Sequence, residues 1–503
     1  MKKCKILVLM ILSALVISLS SCVFINKDKY IASYEYEQRD VNQISYYDVK
    51  ETTGPNVIPS TGTYNVLVLP IEFSDKSFPS NYKDCLNRAY NGSADPASSL
   101  YTGYSESVNS FYYKSSYGKL NVNFIIADKY EMMVSAKSWY SSNNSSLPSS
   151  YDSSSVKDSG VNAIGRAYDA YKQNNDVLSL DSDSDGYIDG IIGIYSSDDY
   201  NTGAYWWDED GYYWAYVYYA SAFVTPYSNA NTTNPGFNLY SFISYDFLFK
   251  ATTSPSVDYH TYAHEFGHML GLDDYYASDS SDFNPMGGIV MEDFNICDHD
   301  MFTKTILGWT TPTSGNVDGE ITLSSSTESG DCILIPSGNW NGTAFDEYIL
   351  VEFYTPTGLN ELDSNTKYSL TKGLTDYGIK IYHIDARLVE IRGQSVYWSS
   401  IKNQKLNSKY QYLVANTNCN KATHYGDDEF SLCHQIEANN VFTYSLGGYA
   451  TNASLFHQGD TFTLKEYSKF FPETNSFNNG YYWKNKIEIT SLTSTSATIK
   501  ISK

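Results

Sequence analysis

Positive charge is scarce in this chain. Only 34 lysines and arginines stand against 57 aspartates and glutamates, giving a formal net charge of −23 over 503 residues. A surface that acidic argues against nucleic acid and against an anionic membrane surface as partners, since both need a basic footprint. Cysteine is scarce too, with seven residues and no C-x-x-C pair. Beyond Cys22 the remaining five are Cys85, Cys297, Cys332, Cys419 and Cys433. An odd number without paired spacing does not read as a zinc knuckle or a disulfide framework, although one bridge such as Cys419 with Cys433 is compatible with an exported chain. Histidine occurs only eight times, so two histidines at ligand spacing stand out. Long apolar runs are missing except for Ile6 to Ile17, and that run of about a dozen residues is short for a membrane span. No repeat of fixed period is present.

What is there begins with that run. Lys2, Lys3 and Lys5 precede it and Leu19-Ser20-Ser21-Cys22 follows it. A basic start, a short apolar stretch and small residues before a cysteine form an export signal of the lipoprotein kind, with Cys22 lipidated and becoming the first mature residue. Lipid on Cys22 would anchor the chain to the outer face of a bacterial cell membrane. A plain signal cut near Ser21 is the simpler alternative. Removing residues 1–21 takes away three lysines and no acid, so −23 becomes −26. Such a charge suits solubility or divalent cations. The chain is too long for one ordinary core. Its 42% hydrophobic and 18% charged residues nevertheless fit a folded protein. The 48 tyrosines tilt the bulk towards half-exposed β-structure.

The organising stretch is His260 to Tyr276, which contains His264-Glu265-Phe266-Gly267-His268. On a helix, positions i and i+4 share a face, so His264 and His268 can present their imidazoles to one metal ion. Glu265, one position on, is placed to act on a water there as general base. Gly271 can take positive φ, end the helix and turn the chain back. The third ligand of the longer zincin pattern then falls on Asp274, and carboxylate oxygen suits zinc. Asp273 and His299 are rivals for that third position, as is His260 on the same helical stripe, whose simpler reading is a helix start.

Along the chain, residues 22–60 carry no sustained apolar period and read as a tether or short pro-segment. Tyr64 to Phe73 is a mostly buried strand, Val108 and Phe111 mark a helix closed by Gly118, Val122 to Ile126 is a strand, and Val156 to Tyr171 is a helix. Asp181, Asp183, Asp185 and Asp189 surround Gly186 in a candidate calcium loop. The twelfth position is Ile192, so a complete EF-hand is excluded; a solvated acidic turn into a strand from Ile188 to Tyr195 is the plain alternative. Trp206, Trp207, Tyr212, Tyr213 and Trp214 lie in an aromatic stretch. It is expected as core or rim, with peptide-pairing strand the weaker reading. Met286 sits in the turn Asn284-Pro285-Met286-Gly287-Gly288, with Met291 as its rival for a methionine turn beneath the metal. From about residue 311, short β-like runs take over: Ile321–Leu323, Cys332–Ile335, Tyr348–Tyr354, Ile379–Ile384, Val441–Tyr444 and Ile487–Ile501.

Several of these segments together resemble secreted metallopeptidases of the immune inhibitor A type, which are close to the metzincins. The matching pieces are the Val-Leu-Pro-Ile-Glu-Phe-Ser-Asp strand, Ser-Tyr-Gly-Lys-Leu at 116–120, the acidic turn, the His-Glu-Phe-Gly-His-Met-Leu-Gly-Leu-Asp-Asp-Tyr-Tyr block, Pro-Met-Gly-Gly, Leu-Gly-Trp and the strand from Gly378 to Arg387. The resemblance covers about 61–390. It departs at Asp273, where that family commonly has proline. It implies zinc, endopeptidase activity and an α+β fold: a zincin or metzincin-like catalytic domain over 61–310, with a twisted sheet above the active-site helix. A β-rich, sandwich-like C-terminal domain over 311–503 is expected after it.

The expected function is that of a surface-anchored zinc endopeptidase acting on protein or peptide, with His264, His268 and Asp274 on the metal and Glu265 as base. Tyr275, Tyr276 and His299 are the candidates for oxyanion stabiliser. The alternatives are a lipid-anchored binding or adhesion protein whose fold is stabilised by metal without catalysis, and a metal-dependent hydrolase of non-peptide substrates.

Overall fold

The computed structural model describes residues 40, 41 and 43, most of 57–397 and most of 431–502. Residues 1–39, 44–56, 144–158, 199–213, 223–230, 250–255, 277–283 and 398–430 lie outside the described residues, as do a few shorter stretches. The signal segment, Cys22, most of the tether, Trp206, Trp207, Tyr212, Tyr213 and Cys419 fall there. The described part is a mixed α/β structure with several sheets and few helices. No helix among the described residues is long and apolar enough to cross a membrane.

The first sheet is built on β1 (Gly62–Glu72), with β2 (Leu120–Ile126), β3 (Tyr130–Glu131), β4 (Ile191–Tyr195), β5 (Tyr216–Tyr219) and β6 (Leu239–Ser244). Its order is β2-β1-β4-β6-β5, and β3 continues beside β1. All pairs are parallel except β5 with β6. Residues 66–72 of β1 are all buried, as expected of a strand covered on both faces. Val66 and Val68 face one apolar cluster with helices α1 (Tyr82–Asn91) and α2 (Val108–Ser115). Leu67, Leu69 and Ile71 face another with α3 (Ser159–Lys172). Pro70 is tolerated in this inner strand because β2 pairs only as far as Val68 and β3 begins at Ile71. The missing N–H therefore falls where no ladder bond is needed. The strand expected over Ile188–Tyr195 is interrupted: Tyr187–Ile188 pairs with Gly236–Phe237, and β4 starts afresh after Asp189 and Gly190.

Helix α4 (His260–Met269) buries Tyr262, Ala263, Phe266 and Met269 against the first cluster. Phe266 and Met269 each contribute about 1.5–3 kcal/mol by that burial. Tyr112 of α2 donates its hydroxyl to the Ala263 carbonyl at 2.7 Å. The helix ends as the glycine predicted. Gly271 has φ +97°. Leu272 N–H donates to Gly267 O at 3.0 Å and Gly271 N–H to His268 O at 2.9 Å. This pair of bonds is a Schellman closure, which leaves the chain heading back along the helix. Further on, α5 (Met301–Ile306) is capped by Asp300, whose side chain accepts from Thr303 N.

The second half contains β7 (Thr313–Ser314), β8 (Gly319–Ser324), β9 (Cys332–Pro336), β10 (Glu347–Tyr354), β11 (Gly378–Asp385), β12 (Cys433–Ile436), β13 (Thr461–Phe462), β14 (Lys486–Leu492) and β15 (Ser496–Ser502). One sheet runs β12-β11-β10-β9-β7 and another β8-β15-β14-β13. Alternation divides the first of these cleanly. Ile333, Ile335, Ile349, Val351, Ile379 and Ile381 share a cluster with Ile487, Ile489 and Ile499 of the other sheet. Leu334, Tyr348, Leu350, Tyr382 and Cys433 turn the opposite way and join the cluster of Phe266 and Trp309. One apolar cluster therefore runs across residue 310. The strand expected over Val441–Tyr444 does not form. Asn440 and Phe442 have φ of 55° and 60°, and such left-handed residues break an extended run; a 3-10 turn over Thr443–Leu446 replaces it.

Candidate metal centre

The helical spacing and the Schellman turn bring three predicted side chains together. His264 Nε2 lies 2.9 Å from Asp274 Oδ1, and His268 Nε2 lies 3.3 Å from the same oxygen. The opposite ring nitrogens face backbone carbonyls: His264 Nδ1 is 3.2 Å from Met291 O, and His268 Nδ1 is 2.9 Å from Leu272 O. A carbonyl can only accept, so each Nδ1 carries a proton, and Nε2 is the nitrogen that faces Asp274 and is available to a cation once its own proton is displaced. With zinc–ligand bonds of about 2.0–2.1 Å, tetrahedral ligand atoms stand roughly 3.3 Å apart. The His268–Asp274 distance already matches that spacing, and the His264–Asp274 distance falls short of it by a few tenths of an ångström.

The electrostatics follow from the same contacts. Burial works against charge on all three groups. It raises the Asp274 carboxyl, but the hydrogen bonds and charges of the two imidazoles outweigh this and hold it well below the usual carboxylate range. It lowers His264, but the Asp274 hydrogen bond and the Glu292 charge lift it to about 9. His268 is raised in the same way by Asp274. A cation bound here displaces these protons, because ligation requires neutral imidazole. Glu265 is buried, its Oε2 has no hydrogen-bond partner among the described residues, and burial raises its pKa.

Glu292 was not singled out by the sequence. It is 0% exposed, and neither carboxylate oxygen has a hydrogen-bond partner among the described residues. Oε2 lies 3.7 Å from His264 Nδ1, and Oε1 lies 3.8 Å from His299 Nδ1. His264, His268 and Glu292 each offer an atom within 4.8 Å of the others. Glu292 nevertheless approaches the Nδ1 edge of His264, whereas Asp274 meets the Nε2 atoms of both histidines. The available signal was an acid pair, Glu292-Asp293, set between Met291 and Phe294 in an otherwise apolar run. It does not distinguish a buried acid from a turn.

The remaining predicted residues fall in several places. Asp273 lies by Tyr219, whose hydroxyl is pushed up to about 12 by burial and then by the Asp273 charge. His260 is the first residue of α4, its ring 6.0 Å from that of His264 and 5.0 Å from Tyr368. His299 is buried among Phe111, Tyr112 and Trp309, next to Glu292 and on the Nδ1 side of His264. Met286 is fully buried in the cluster that holds α4, while Met291 supplies the carbonyl to His264. Among the oxyanion candidates, Tyr275 is committed to the core, its hydroxyl 2.8 Å from Thr303 Oγ1. Tyr276 stacks over His264 at 6.1 Å and over Phe294 at 5.0 Å.

At the acidic turn, Asp181, Asp183 and Asp185 bring carboxylate oxygens within 4.8 Å of one another. Those oxygens also hold the turn itself. Asp181 accepts from Asp185 N and Gly186 N, Asp183 from Asp185 N, and Asp185 from Tyr187 N. Asp189 is not in that group; it accepts from Ser182 N and Oγ, and burial pushes its acid up to about 6. Cys433 is buried in β12, and its suggested partner Cys419 lies outside the described residues.

No family model matches the chain, and no curated protein matches it. The immune inhibitor A resemblance therefore stands on its motifs. Among solved structures, metalloproteinase-II from Bacteroides fragilis aligns at 12% identity with a TM-score of 0.19, over 49% of this chain and 51% of that one. The chain thus spans about half the length of that structure. A likeness at that level carries no argument about fold or activity, and the functional reading rests on the site.

Proposed function

We propose that this chain is a metal-dependent peptide hydrolase in which His264, His268 and Asp274 hold the metal and Glu265 is the general base. One observation carries the reading: two imidazole Nε2 atoms, fixed by carbonyls behind them, converge on a single carboxylate oxygen, and the neighbouring Glu265 is buried with an Oε2 that has no hydrogen-bond partner among the described residues. Two nitrogen donors and one oxygen donor are a ligand set that suits zinc used catalytically. A bound zinc supplies Lewis acidity and brings the pKa of water from about 15.7 towards 7.

The protein's own part is proton handling and positioning. Glu265 accepts the proton of the attacking water as its oxygen bonds to the scissile carbonyl carbon. It then delivers that proton to the nitrogen as the C–N bond breaks. Burial favours the first of these steps, because a carboxylate with a raised pKa is the stronger base towards the attacking water. Peptide is favoured over a compact substrate by β5, the antiparallel edge strand of the first sheet. Its Tyr219 lies near Asp273, and no strand pairs with its outer side among the described residues. An extended chain can add to such an edge through its backbone. The zincin-like domain, the lipid anchor on Cys22 and the surface location belong to the same proposal.

Glu265→Gln keeps the shape and removes the base. It should retain zinc at one equivalent and lose at least about 10²-fold in kcat/KM on casein or a peptide library. Undiminished cleavage by that variant refutes the assignment. A parent chain that binds zinc and cleaves no peptide favours the binding-protein alternative instead.

A further inference from the structure

The structure carries one more assignment, which rests on the metal-centre reading above. We infer that Glu292 is a positioning residue of that centre: a buried counter-charge behind His264, backed by His299, that favours a dication at the Nε2 side without being a ligand itself. The starting point is an unpartnered carboxylate. Glu292 is completely enclosed, yet neither oxygen has a hydrogen-bond partner among the described residues. Burial favours the neutral form of a carboxyl unless positive charge stands close by. The positive group that faces it is His264, 3.7 Å from Oε2; His299 lies 3.8 Å from Oε1 as a neutral ring, its pKa held well below the usual range by burial. The ring nitrogens of His299 have no hydrogen-bond partner among the described residues either.

The surroundings fix this geometry. The Glu292 carbonyl accepts from Tyr275 N at 2.7 Å, so the same residue steadies the backbone next to Asp274. The preceding carbonyl, of Met291, takes the His264 Nδ1 proton. Room for the carboxylate comes from Gly267, one of the two residues between Glu265 and His268: a methyl group there would overlap it. The glycine inside the motif therefore has a role of its own, admitting an acid beneath the helix. Because Glu292 faces Nδ1, its influence reaches the metal through the imidazole, as outer-shell carboxylates do.

The test uses the full chain stripped of metal and titrated with zinc and with cobalt. Glu292→Gln should weaken zinc binding about 10–100-fold, with Glu292→Asp recovering part of the loss. At saturation, the cobalt ligand-field spectrum should keep the parent's form, since the ligands are unchanged. Thermal unfolding of the metal-stripped Gln variant should come no earlier than the parent's, which a merely structural role would not allow. If the Gln variant does not fold, the parent-to-Asp affinity ratio decides. Zinc affinity within threefold of the parent in both variants overturns the assignment. So does loss of stoichiometric binding with a collapsed cobalt spectrum, the pattern of His264→Ala, because it would make Glu292 a ligand. A parent chain that binds no zinc would instead refute the metal centre itself.

Discussion

Gly271→Ala isolates the turn that delivers Asp274. Gly271 holds φ at +97°, where a Cβ crowds the following carbonyl at a cost of about 1–2 kcal/mol. The chain can accept that strain or relieve it by opening the Leu272 N–H to Gly267 O closure. Opening it carries residues 272–274 away from the helix and withdraws the oxygen now 2.9 and 3.3 Å from the two Nε2 atoms. If zinc restores the turn, the strain is charged to binding, and about 1–2 kcal/mol corresponds to roughly 5–30-fold weaker affinity. Gly342 is the control. Its φ is +90°, and a Cβ there meets nothing within 4 Å. Gly342→Ala should lose similar stability with unchanged zinc affinity. Isothermal titration of both metal-stripped variants reads the difference. Equal affinities for the two variants and the parent would refute the idea that the glycine turn places the third ligand.

Tyr112→Phe removes the hydroxyl that donates to the Ala263 carbonyl, which keeps its bond within the helix, so denaturant unfolding should show a loss of about 0.5–1.5 kcal/mol. Burial pushes the Asp363 carboxyl up to about 7 against the pull of Lys380. The folded chain therefore keeps a proton that the unfolded chain releases near pH 4, and this contribution makes stability fall as pH rises from about 4 to 7. Asp363→Asn should flatten that slope and gain up to about 4 kcal/mol at pH 7.5, read from unfolding curves at several pH values; an unchanged slope would contradict it. Free zinc at about 1,000 times Kd should raise parental stability by about 4 kcal/mol and do nothing for His268→Ala in a thermal melt; an equal shift in both would place the zinc elsewhere.

The motif helix was legible because two periodicities coincide there. The i, i+4 spacing sets the histidines on one face and the glycine at 271 sets the exit, so Asp274 led among the candidates for the third position, and the fold brings its carboxylate to both imidazoles. The buried strand of β1 was legible for a similar reason, since an apolar run flanked by turns has few other uses. Glu292 was not. Its role depends on a long-range approach to Gly267 and His299, and no local pattern marks an acid as buried. Val441–Tyr444 misled because apolar residues were counted without the left-handed backbone at Asn440 and Phe442. The division at 310 follows a change of texture, but side chains from both halves pack around Trp309, which composition along the chain does not register.

The central claim is tested most directly by zinc-edge anomalous diffraction from crystals of the full chain grown with zinc. One strong peak is expected within bonding distance of His264 Nε2, His268 Nε2 and an Asp274 carboxylate oxygen, with Glu265 beside it and Glu292 behind His264. A peak bonded to Glu292 in place of Asp274, or no peak at the two histidines, would contradict it.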